Sequence, residues 1–340
     1  MQLSDFDYHL PPERIAVRPL PDRAASRMLI IHRKEQRWED RVFRDLPLFL
    51  GPGDCLVLND TRVFPARLLG HRKGFTGKVE VFLVRPLEKD SSTWLALVRP
   101  GRKMRTGERL ELGEGLEAVI LGRNEFGERI VRLQCGGDLY AKLDQVGHVP
   151  LPPYLHRDDT PEDRERYQTV YAGERGSVAA PTAGLHFTPQ VLEACRAAGA
   201  SLAKVTLHVG LGTFQPIHTT VIEDVKLHSE WFSISPEAAE IMRAAKRLCA
   251  VGTTAVRTIE TAMRRGGLRA MEADTDLFIS PGFNFQATGA MLTNFHLPQS
   301  SLLVLVCALA GRELVLSAYR HAVENEYRFY SYGDCMLIVD

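Results

Sequence analysis

The sequence predicts an α/β main domain that carries an inserted small antiparallel β-barrel domain. The chain has 340 residues, which is too long for a typical single domain. Residues 67–149 contain short strand-like runs with glycines between them, a pattern typical of a small antiparallel barrel. After residue 150, helical and strand-like patterns alternate, as in an α/β domain. We therefore predict an α/β domain of residues 1–66 and 150–340, interrupted by a barrel of residues 67–149.

Four strand-like runs predict the barrel. Residues 78–84 alternate between apolar and polar side chains before becoming apolar, and three further runs have similar lengths. Eight glycines from Gly74 to Gly127 lie among these runs, where a chain of short strands needs turns. The other predicted barrel strands are residues 93–98, 116–121 and 129–133.

Helix-start signals recur in the second half of the chain. Thr188 and Ser235 each precede a proline, and such a hydroxyl caps a helix whose first turn accepts proline. A third helix is predicted to begin at Thr253, and residues 313–325 are predicted to form a fourth. The predicted strands of this domain are 54–58, 202–209, 248–251, 276–280, 302–308 and 336–339.

The composition is that of an ordinary globular protein, with 45% hydrophobic and 25% charged residues. The N-terminus lacks the basic start and apolar stretch of a signal peptide. The longest apolar run, residues 302–310, is about half as long as a membrane span. The six cysteines form no C-x-x-C pair, which favours buried reduced thiols. We therefore expect a cytoplasmic protein with no membrane partner.

Basic residues are concentrated in one part of the chain. The formal net charge is zero, but residues 62–109 contain twelve Lys or Arg and four Asp or Glu, a local balance of +8. This asymmetry predicts an RNA-binding face on an otherwise acidic enzyme, with a solvated basic surface as the alternative. The candidate phosphate contacts are Arg62, Arg67, Arg72, Lys73, Lys78, Arg102, Lys103 and Arg105.

Clusters of glycine, threonine, histidine and asparagine lie where predicted strands end. Ligands of open α/β sheets bind at such ends, so the clusters predict a shared polar site. Four histidines lie in them and are candidates for acid–base groups, metal ligands or structural side chains. Their spacing matches no H-x-x-x-H or H-x-H motif, which argues against a metal site. These histidines are His186, His208, His228 and His296.

Three further features add charge and hydrogen-bond donors to this site. Glu230 lies two residues after one of the histidines, so on a strand both would point to one face. Thr253 and Thr254 open a helix whose free N–H groups can hold a carboxylate or phosphate. Arg257 lies on the next turn, where it either assists such an anion or pairs with Glu260.

Seven motifs follow one another along the chain. The first is N-D-T-R-V-F-P-A-R-L at residues 59–68, and the last is Y-R-F-Y-S-Y-G-D at residues 327–334. Together they resemble the motifs of the S-adenosylmethionine:tRNA ribosyltransferase-isomerase family, over nearly the whole chain. The five motifs between them are residues 181–187, 206–214, 228–230, 252–257 and 293–298.

The resemblance implies a fold and a reaction. The fold is an α/β domain with an inserted antiparallel barrel. In the reaction, the ribosyl part of S-adenosylmethionine is transferred to a tRNA that carries an aminomethyl-deazaguanine, prequeuosine, at the wobble position. The sugar is rearranged to give epoxyqueuosine, and adenine and methionine leave. No metal, no tightly bound cofactor and no obligate protein partner are expected, and we expect a monomer.

The same resemblance suggests roles for the candidate residues. His186 and His208 are candidates for base and acid, with Glu230 as the alternative. Glu230 or Asp334 is the candidate for a negative charge near the sulfonium. Substrate binding is predicted for Thr182, His228, Thr253, Thr254, Arg257, Asn294, His296, Tyr332 and Asp334.

Two departures from the family pattern bear on activity. Gly289 stands where an aspartate is common, and Ser280 where an aromatic residue often precedes Pro-Gly. A catalytic task for that aspartate would predict loss of activity in this chain, whereas the retained motifs favour a structural difference. Two alternative functions remain: a metal-dependent hydrolase built on the four histidines, and a noncatalytic RNA-binding module.

Overall fold

A computed structural model describes residues 1–88, 92–125, 127–210, 217 and 219–340. These residues form two compact units. The main unit comprises Met1–Thr61, Gln168–Glu174 and Ala180–Asp340, and the barrel unit comprises Arg62–Tyr167 and Arg175–Ala179. The domain boundaries drawn from the sequence at residues 67 and 149 stay a prediction.

Strands are distributed over both units. Within the described residues they are β1 (Arg27–His32), β2 (Arg37–Val42), β3 (Asp54–Asn59), β4 (Thr61–Val63), β5 (Arg67–Arg72), β6 (Lys78–Pro86), β7 (Thr93–Arg99), β8 (Arg109–Glu111), β9 (Leu116–Arg123), β10 (Arg129–Cys135), β11 (Glu174–Ser177), β12 (Ser201–Leu207), β13 (Glu230–Ile234), β14 (Arg247–Val251), β15 (Met271–Thr275), β16 (Thr288–Asn294) and β17 (Cys335–Val339).

Most α-helices follow residue 188. In the same described part of the chain they are α1 (Leu139–Val146), α2 (Asp163–Arg166), α3 (Pro189–Ala197), α4 (Pro236–Ala244), α5 (Thr253–Arg264), α6 (Ser301–Ala310) and α7 (Arg312–Glu324). Short 3-10 helices span Leu3–Phe6, Pro12–Arg14, Arg23–Ala25, Phe43–Phe49, Gly101–Lys103, Pro153–Leu155, Thr182–His186 and Ile222–Asp224.

The main unit is built on a nine-stranded mixed sheet of order β15-β13-β12-β3-β14-β16-β17-β1-β2. Its centre is parallel: β3 lies between β12 and β14, and β14 continues to β16. On one side of this centre, β12 with β13 and β13 with β15 are antiparallel pairs. On the other side, β16 with β17 and β1 with β2 are antiparallel, whereas β17 and β1 are parallel. All four central parallel strands therefore end at the same edge of the sheet.

Alternate residues of the central strands pack into one hydrophobic core. Leu56 and Leu58 of β3 lie in it, whereas Val57 points to the other face and is also fully buried. Both faces of the sheet are therefore covered, as a parallel centre requires. Helix α3 contributes Val191 and Cys195 to this core.

The barrel unit contains a closed barrel of order β10-β7-β6-β5-β8-β9. Every neighbouring pair in it is antiparallel. The four strands predicted for this region are confirmed, while the sequence pattern missed β5 and β8. The predicted α/β fold with an antiparallel barrel is also confirmed. A separate two-stranded sheet pairs β4 with β11.

Two predicted strands of the main unit are wrong. Residues 302–308 lie in helix α6, whose first turn is capped by the Ser300 side chain accepting a bond from Leu303 N at 3.2 Å. A buried helix can be apolar all round, and a short apolar run does not distinguish it from a buried strand. Residues 276–280 follow the end of β15 instead of forming a strand.

No single α-helix among the described residues is long and apolar enough to cross a membrane. Helices α6 and α7, bent by 117° at their junction, reach the required length and apolar composition only as a pair.

Candidate active site

The predicted polar clusters meet at the carboxyl edge of the parallel strands. Asn59 ends β3, His208 follows β12, Gly252 follows β14 and Asn294 ends β16. The 3-10 helix Thr182–His186 approaches the same edge, since a Cβ added to Gly252 would lie 3.6 Å from Ala183 Cβ. The site predicted from strand ends is therefore assembled from segments that are distant in the sequence.

Asn59 ties three of these segments together. Its Nδ2 donates to the Leu207 carbonyl at 3.0 Å and to Thr254 Oγ1 at 3.2 Å. Its Oδ1 accepts from Leu207 N at 3.0 Å and from Thr61 N at 3.2 Å. The side chain is fully buried, so each of these bonds satisfies a polar group shielded from water. Asn59 was part of a sequence motif but had no predicted role. Its position directly after the predicted buried strand 54–58 was the signal that could have indicated one.

His208 is held by a hydroxyl and an indole. Its Nδ1 is 2.8 Å from Thr61 Oγ1, and its ring stacks on Trp231 with 4.9 Å between centroids. Burial lowers the pKa of His208 to about 4, so the ring is neutral at neutral pH. Because Thr61 occupies Nδ1, any proton transfer by His208 would use Nε2.

His186 is buried between two fixed partners. Its Nδ1 is 2.9 Å from Ser26 Oγ, and its Nε2 is 3.1 Å from Asn294 Oδ1. Asn294 Nδ2 donates to the carbonyls of Tyr330 and Ser331, which fixes the amide so that Oδ1 faces the histidine. Burial lowers the pKa of His186 to about 4. Both ring nitrogens of this predicted catalytic residue are therefore engaged by the protein.

Glu230 and Arg257 form a buried ion pair. Glu230 Oε2 contacts Arg257 Nη1, and Oε1 accepts from Gly210 N at 2.8 Å. Arg257 also donates to the Leu277 carbonyl at 3.1 Å and the Thr275 carbonyl at 3.2 Å. These carbonyls gain a side-chain donor where β15 ends, which explains why residues 276–280 do not continue as a strand.

The pairing of Arg257 with Glu260 does not occur. The Glu260 carboxylate instead accepts from the backbone N–H groups of Gln286, Ala287 and Thr288 and from Thr288 Oγ1, at 2.7 to 3.1 Å. It thereby fixes the start of β16.

A cavity of about 430 Å³, counting its part open to solvent, lies against the Glu230–Arg257 pair. The predicted residue His228 is exposed at this cavity. The wall combines one buried ion pair with apolar side chains. Its lining residues are Leu227, His228, Glu230, Arg257, Leu277, Phe278, Ile279, Ser301, Leu302 and Leu305.

Asp60 is a second residue that sequence reasoning left without a role. Its Oδ1 accepts from Thr206 Oγ1 at 2.7 Å, and its carbonyl accepts from Gly173 N at 2.7 Å. Burial raises the pKa of the Asp60 carboxyl above its ordinary value. A carboxyl with a raised pKa beside a polar site is a candidate proton donor.

The remaining predicted residues of the main unit have different surroundings. Thr253 and Thr254 are buried at the start of α5, and Thr182 is partly exposed at the start of its 3-10 helix. Asp334 accepts from Arg27 N and Arg328 N, both at 2.8 Å, and burial raises its pKa.

His296 and Tyr332 are both buried. His296 Nε2 is 3.0 Å from Thr293 Oγ1, and burial lowers the pKa of His296 to about 3. Residues 211–214 of the 206–214 motif lie outside the described residues.

The eight basic candidates of the barrel unit fall into two groups. Arg67 pairs with Glu80 and Asp158, Arg72 with Glu108, and Lys73 with Glu117, all within 3.2 Å. The other group is exposed and has no ion pair with any described residue: Arg62, Lys78, Arg102, Lys103 and Arg105.

The four histidines, all of which the structure describes, form no metal-binding group. In the part of the chain that the structure describes, no three His, Cys, Asp or Glu side chains form a group that could hold a metal ion. The metal-dependent hydrolase therefore has no donor cluster among these residues.

Comparison with known proteins decides the family. A family profile described as "Queuosine biosynthesis protein" matches residues 3–338. The chain belongs to this family. The resemblance drawn from seven motifs is thereby confirmed, and with it the prediction of an enzyme of the transferase and isomerase class.

Relatives from this queuosine biosynthesis family match the chain along its whole length. A protein of Solibacter usitatus named S-adenosylmethionine:tRNA ribosyltransferase-isomerase is 64% identical, covering 100% of both chains. A Symbiobacterium thermophilum protein of the same name is 50% identical, again over 100% of both. A crystal structure of an S-adenosylmethionine tRNA ribosyltransferase from Thermotoga maritima has 40% identity and a TM-score of 0.56, covering 99% of this chain and 100% of that one.

Gly289, one departure from the family motifs, lies near the start of β16, five residues before Asn294 at the carboxyl edge. A Cβ added there would lie 2.8 Å from Arg247 Cγ. Arg247 already has a carboxylate partner, because it binds Asp54 through two bonds of 2.7 Å. An aspartate at 289 would therefore lie beside Arg247 and not at the edge that carries the polar clusters.

The buried histidines predict how stability depends on pH in this family member. Their pKa values are about 4 for His186 and His208 and about 3 for His296, against an ordinary 6.5. The unfolded chain therefore binds more protons below about pH 6.5, and the free energy of unfolding should fall as pH drops towards about 4. Urea unfolding at several pH values measures this slope.

The matched variant is His186→Gln, which keeps a neutral polar side chain at the position. Its unfolding free energy should depend less steeply on pH than that of the wild-type chain. An identical slope in both proteins would contradict the assignment of a depressed pKa to His186.

Proposed function

We propose that this protein transfers the ribosyl group of S-adenosylmethionine to the prequeuosine base at the wobble position of a tRNA. The sugar is rearranged to an epoxycyclopentane, giving epoxyqueuosine, and adenine and methionine are released. The observation that carries this proposal is the 64% identity, over the full length of both chains, to a protein named S-adenosylmethionine:tRNA ribosyltransferase-isomerase. The proposed reaction uses S-adenosylmethionine as a substrate and needs neither a tightly bound cofactor nor an obligate protein partner.

His208 is our candidate for the base that removes a proton from the ribose carbon beside the sulfonium. Its low pKa keeps the imidazole neutral, so that Nε2 can accept this proton. In this tautomer Nδ1–H donates to Thr61 Oγ1, which orients the ring and leaves Nε2 as the accepting nitrogen, and stacking on Trp231 restricts ring rotation. Asp60, with its raised pKa, is our candidate for the proton donor to departing adenine.

The cavity beside Glu230 and Arg257 is our candidate for the methionine end of S-adenosylmethionine. Its apolar lining suits the methyl and methylene groups, and the Glu230 carboxylate attracts the sulfonium cation. That attraction is lost when methionine leaves as a neutral thioether, which favours product release. Thr253, Thr254 and Arg257 remain our candidates for the methionine carboxylate.

His186, Asn294, His296 and Asp334 act by positioning in this proposal. His186 binds Asn294, and Asn294 also donates to the Tyr330 and Ser331 carbonyls, so the pair holds the Thr182–His186 helix against the end of β16. Asp334 fixes the residue before β17 to the start of β1. Thr182, His228 and Tyr332 remain candidates for direct contact with substrate.

Adenine release tests the proposed function. The purified chain is mixed with S-adenosylmethionine and prequeuosine-containing tRNA, and free adenine and the modified nucleoside are followed by mass spectrometry. We expect adenine that depends on the tRNA, together with epoxyqueuosine. Binding of the tRNA without any adenine would instead indicate a noncatalytic RNA-binding protein.

The exposed basic group predicts the salt dependence of tRNA binding. Replacing Arg102, Lys103 and Arg105 together by glutamine should weaken binding and flatten its dependence on salt. The slope of log affinity against log salt should fall by about 0.7 to 0.9 per lost phosphate contact. Fluorescence anisotropy of labelled tRNA at several salt concentrations measures it.

The matched control changes the same net charge elsewhere, by replacing the exposed Arg264, Arg265 and Arg269 of the main unit. If the two triple variants lower the slope equally, the loop at residues 101–105 has no special role in tRNA binding.

A further inference from the structure

One aromatic side chain of the barrel unit is exposed to solvent. Phe75 is 56% exposed, and every other described Phe, Tyr or Trp side chain is buried or partly buried. It lies in the hairpin between β5 and β6. Exposing a ring of this size costs free energy in water unless a partner covers it.

The hairpin turn holds Phe75 in place. Its backbone N–H donates to the Arg72 carbonyl at 2.9 Å, which closes a four-residue turn. Gly74 has a φ of +82°, and a Cβ added there would meet nothing within 4 Å. Glycine is therefore required here by its positive φ and not by crowding. The third position of a type II turn has the same requirement.

One face of the Phe75 ring is covered by a rigid guanidinium. The Arg72 guanidinium carbon lies 4.3 Å from the ring centroid. Arg72 Nε and Nη2 donate to the Glu108 carboxylate at 2.9 and 2.7 Å. This bidentate pair fixes the plane of the guanidinium group. Arg72 is thus committed to supporting the ring, and the 56% of Phe75 that is exposed remains for a partner.

Exposed basic residues lie on the segments next to this hairpin. Lys78 is exposed at the start of β6, and Arg105 is exposed in the turn whose carbonyl accepts from Glu108 N at 3.1 Å. Lys73, within the same hairpin, keeps its ammonium 3.2 Å from Glu117. An exposed aromatic ring on a hairpin whose neighbouring segments carry exposed lysine and arginine side chains suits a nucleobase and its phosphates.

We propose that Phe75 is a stacking platform for an unpaired base of the tRNA, supported from behind by the Arg72–Glu108 pair. The proposal rests on the proposed function only in naming tRNA as the polynucleotide. The positive balance of residues 62–109 favours RNA over an apolar protein partner.

The test measures RNA binding by the full chain without S-adenosylmethionine. The probes are a tRNA transcript and a single-stranded RNA that carries a fluorescent adenine analogue quenched by stacking. Phe75→Ala should weaken tRNA binding by about 5- to 100-fold and abolish the quenching. Phe75→Trp should restore both. Leu69→Ala removes a comparably exposed apolar side chain from β5 and should change neither.

The outcomes separate this proposal from the proposed function. Unchanged affinity and quenching in Phe75→Ala, with normal tRNA-dependent adenine release, would overturn the platform and leave the function standing. Weaker RNA binding with lost quenching would support the platform even if the wild-type chain released no adenine. Failure of the wild-type chain to bind either RNA would overturn both.

Discussion

His208→Asn should lower kcat by about 100- to 10,000-fold, the usual contribution of one acid–base group. Asparagine retains an atom near the position of Nδ1, which can keep the bond to Thr61, but it lacks the Nε2 that would accept the proton. The fold should therefore persist while the chemistry is lost. The measurement is tRNA-dependent adenine release under single-turnover conditions, with circular dichroism to verify the fold.

Two further variants define the role of His208. Thr61→Val removes only the hydroxyl that orients the ring, so we expect a smaller loss than in His208→Asn. His9→Asn changes an exposed histidine with no assigned role and should leave turnover near that of the wild-type chain. Near-normal turnover in His208→Asn would remove this residue as the base and make Glu230 the next candidate.

Arg257→Met should lower the free energy of unfolding by about 3 to 5 kcal/mol, because breaking a buried ion pair leaves an uncompensated charge. The side chains of Arg257 and Glu230 are only 8% and 5% exposed, so water screens this charge poorly. The substitution also removes the donors to the Thr275 and Leu277 carbonyls. Urea denaturation at neutral pH measures the change.

The double variant Arg257→Met with Glu230→Leu removes both charges and should recover part of the lost stability. As a control, Arg196→Met breaks the exposed pair with Glu193, whose side chains are 55% and 73% exposed, and should cost about 1 kcal/mol or less. If Arg257→Met is as mild as this control, the pair contributes little to stability, and its role is confined to the cavity.

Local signals accounted for much of the fold. Thr188 and Ser235 cap α3 and α4 as predicted, because a hydroxyl followed by proline satisfies the first turn within four residues. The helix at 301–310 was predicted as a strand because residues 302–310 are uniformly apolar and show no helical periodicity. Its only local helix signal is the N-cap residue Ser300. Strands β5 and β8 were missed because barrel closure, and not their own pattern, selects them.

The sequence by itself determined the family, the two kinds of architecture and the polar character of the strand ends. Each depends on residue types in fixed local order, which the motifs preserve. Only the tertiary structure decided which side chains meet. Arg257 pairs with Glu230, 27 positions away, and His186 with Asn294, 108 positions away. Such contacts follow from the order and register of the strands in the sheet. They depend on distances between residues that are far apart in the chain, and a local sequence pattern does not encode those distances.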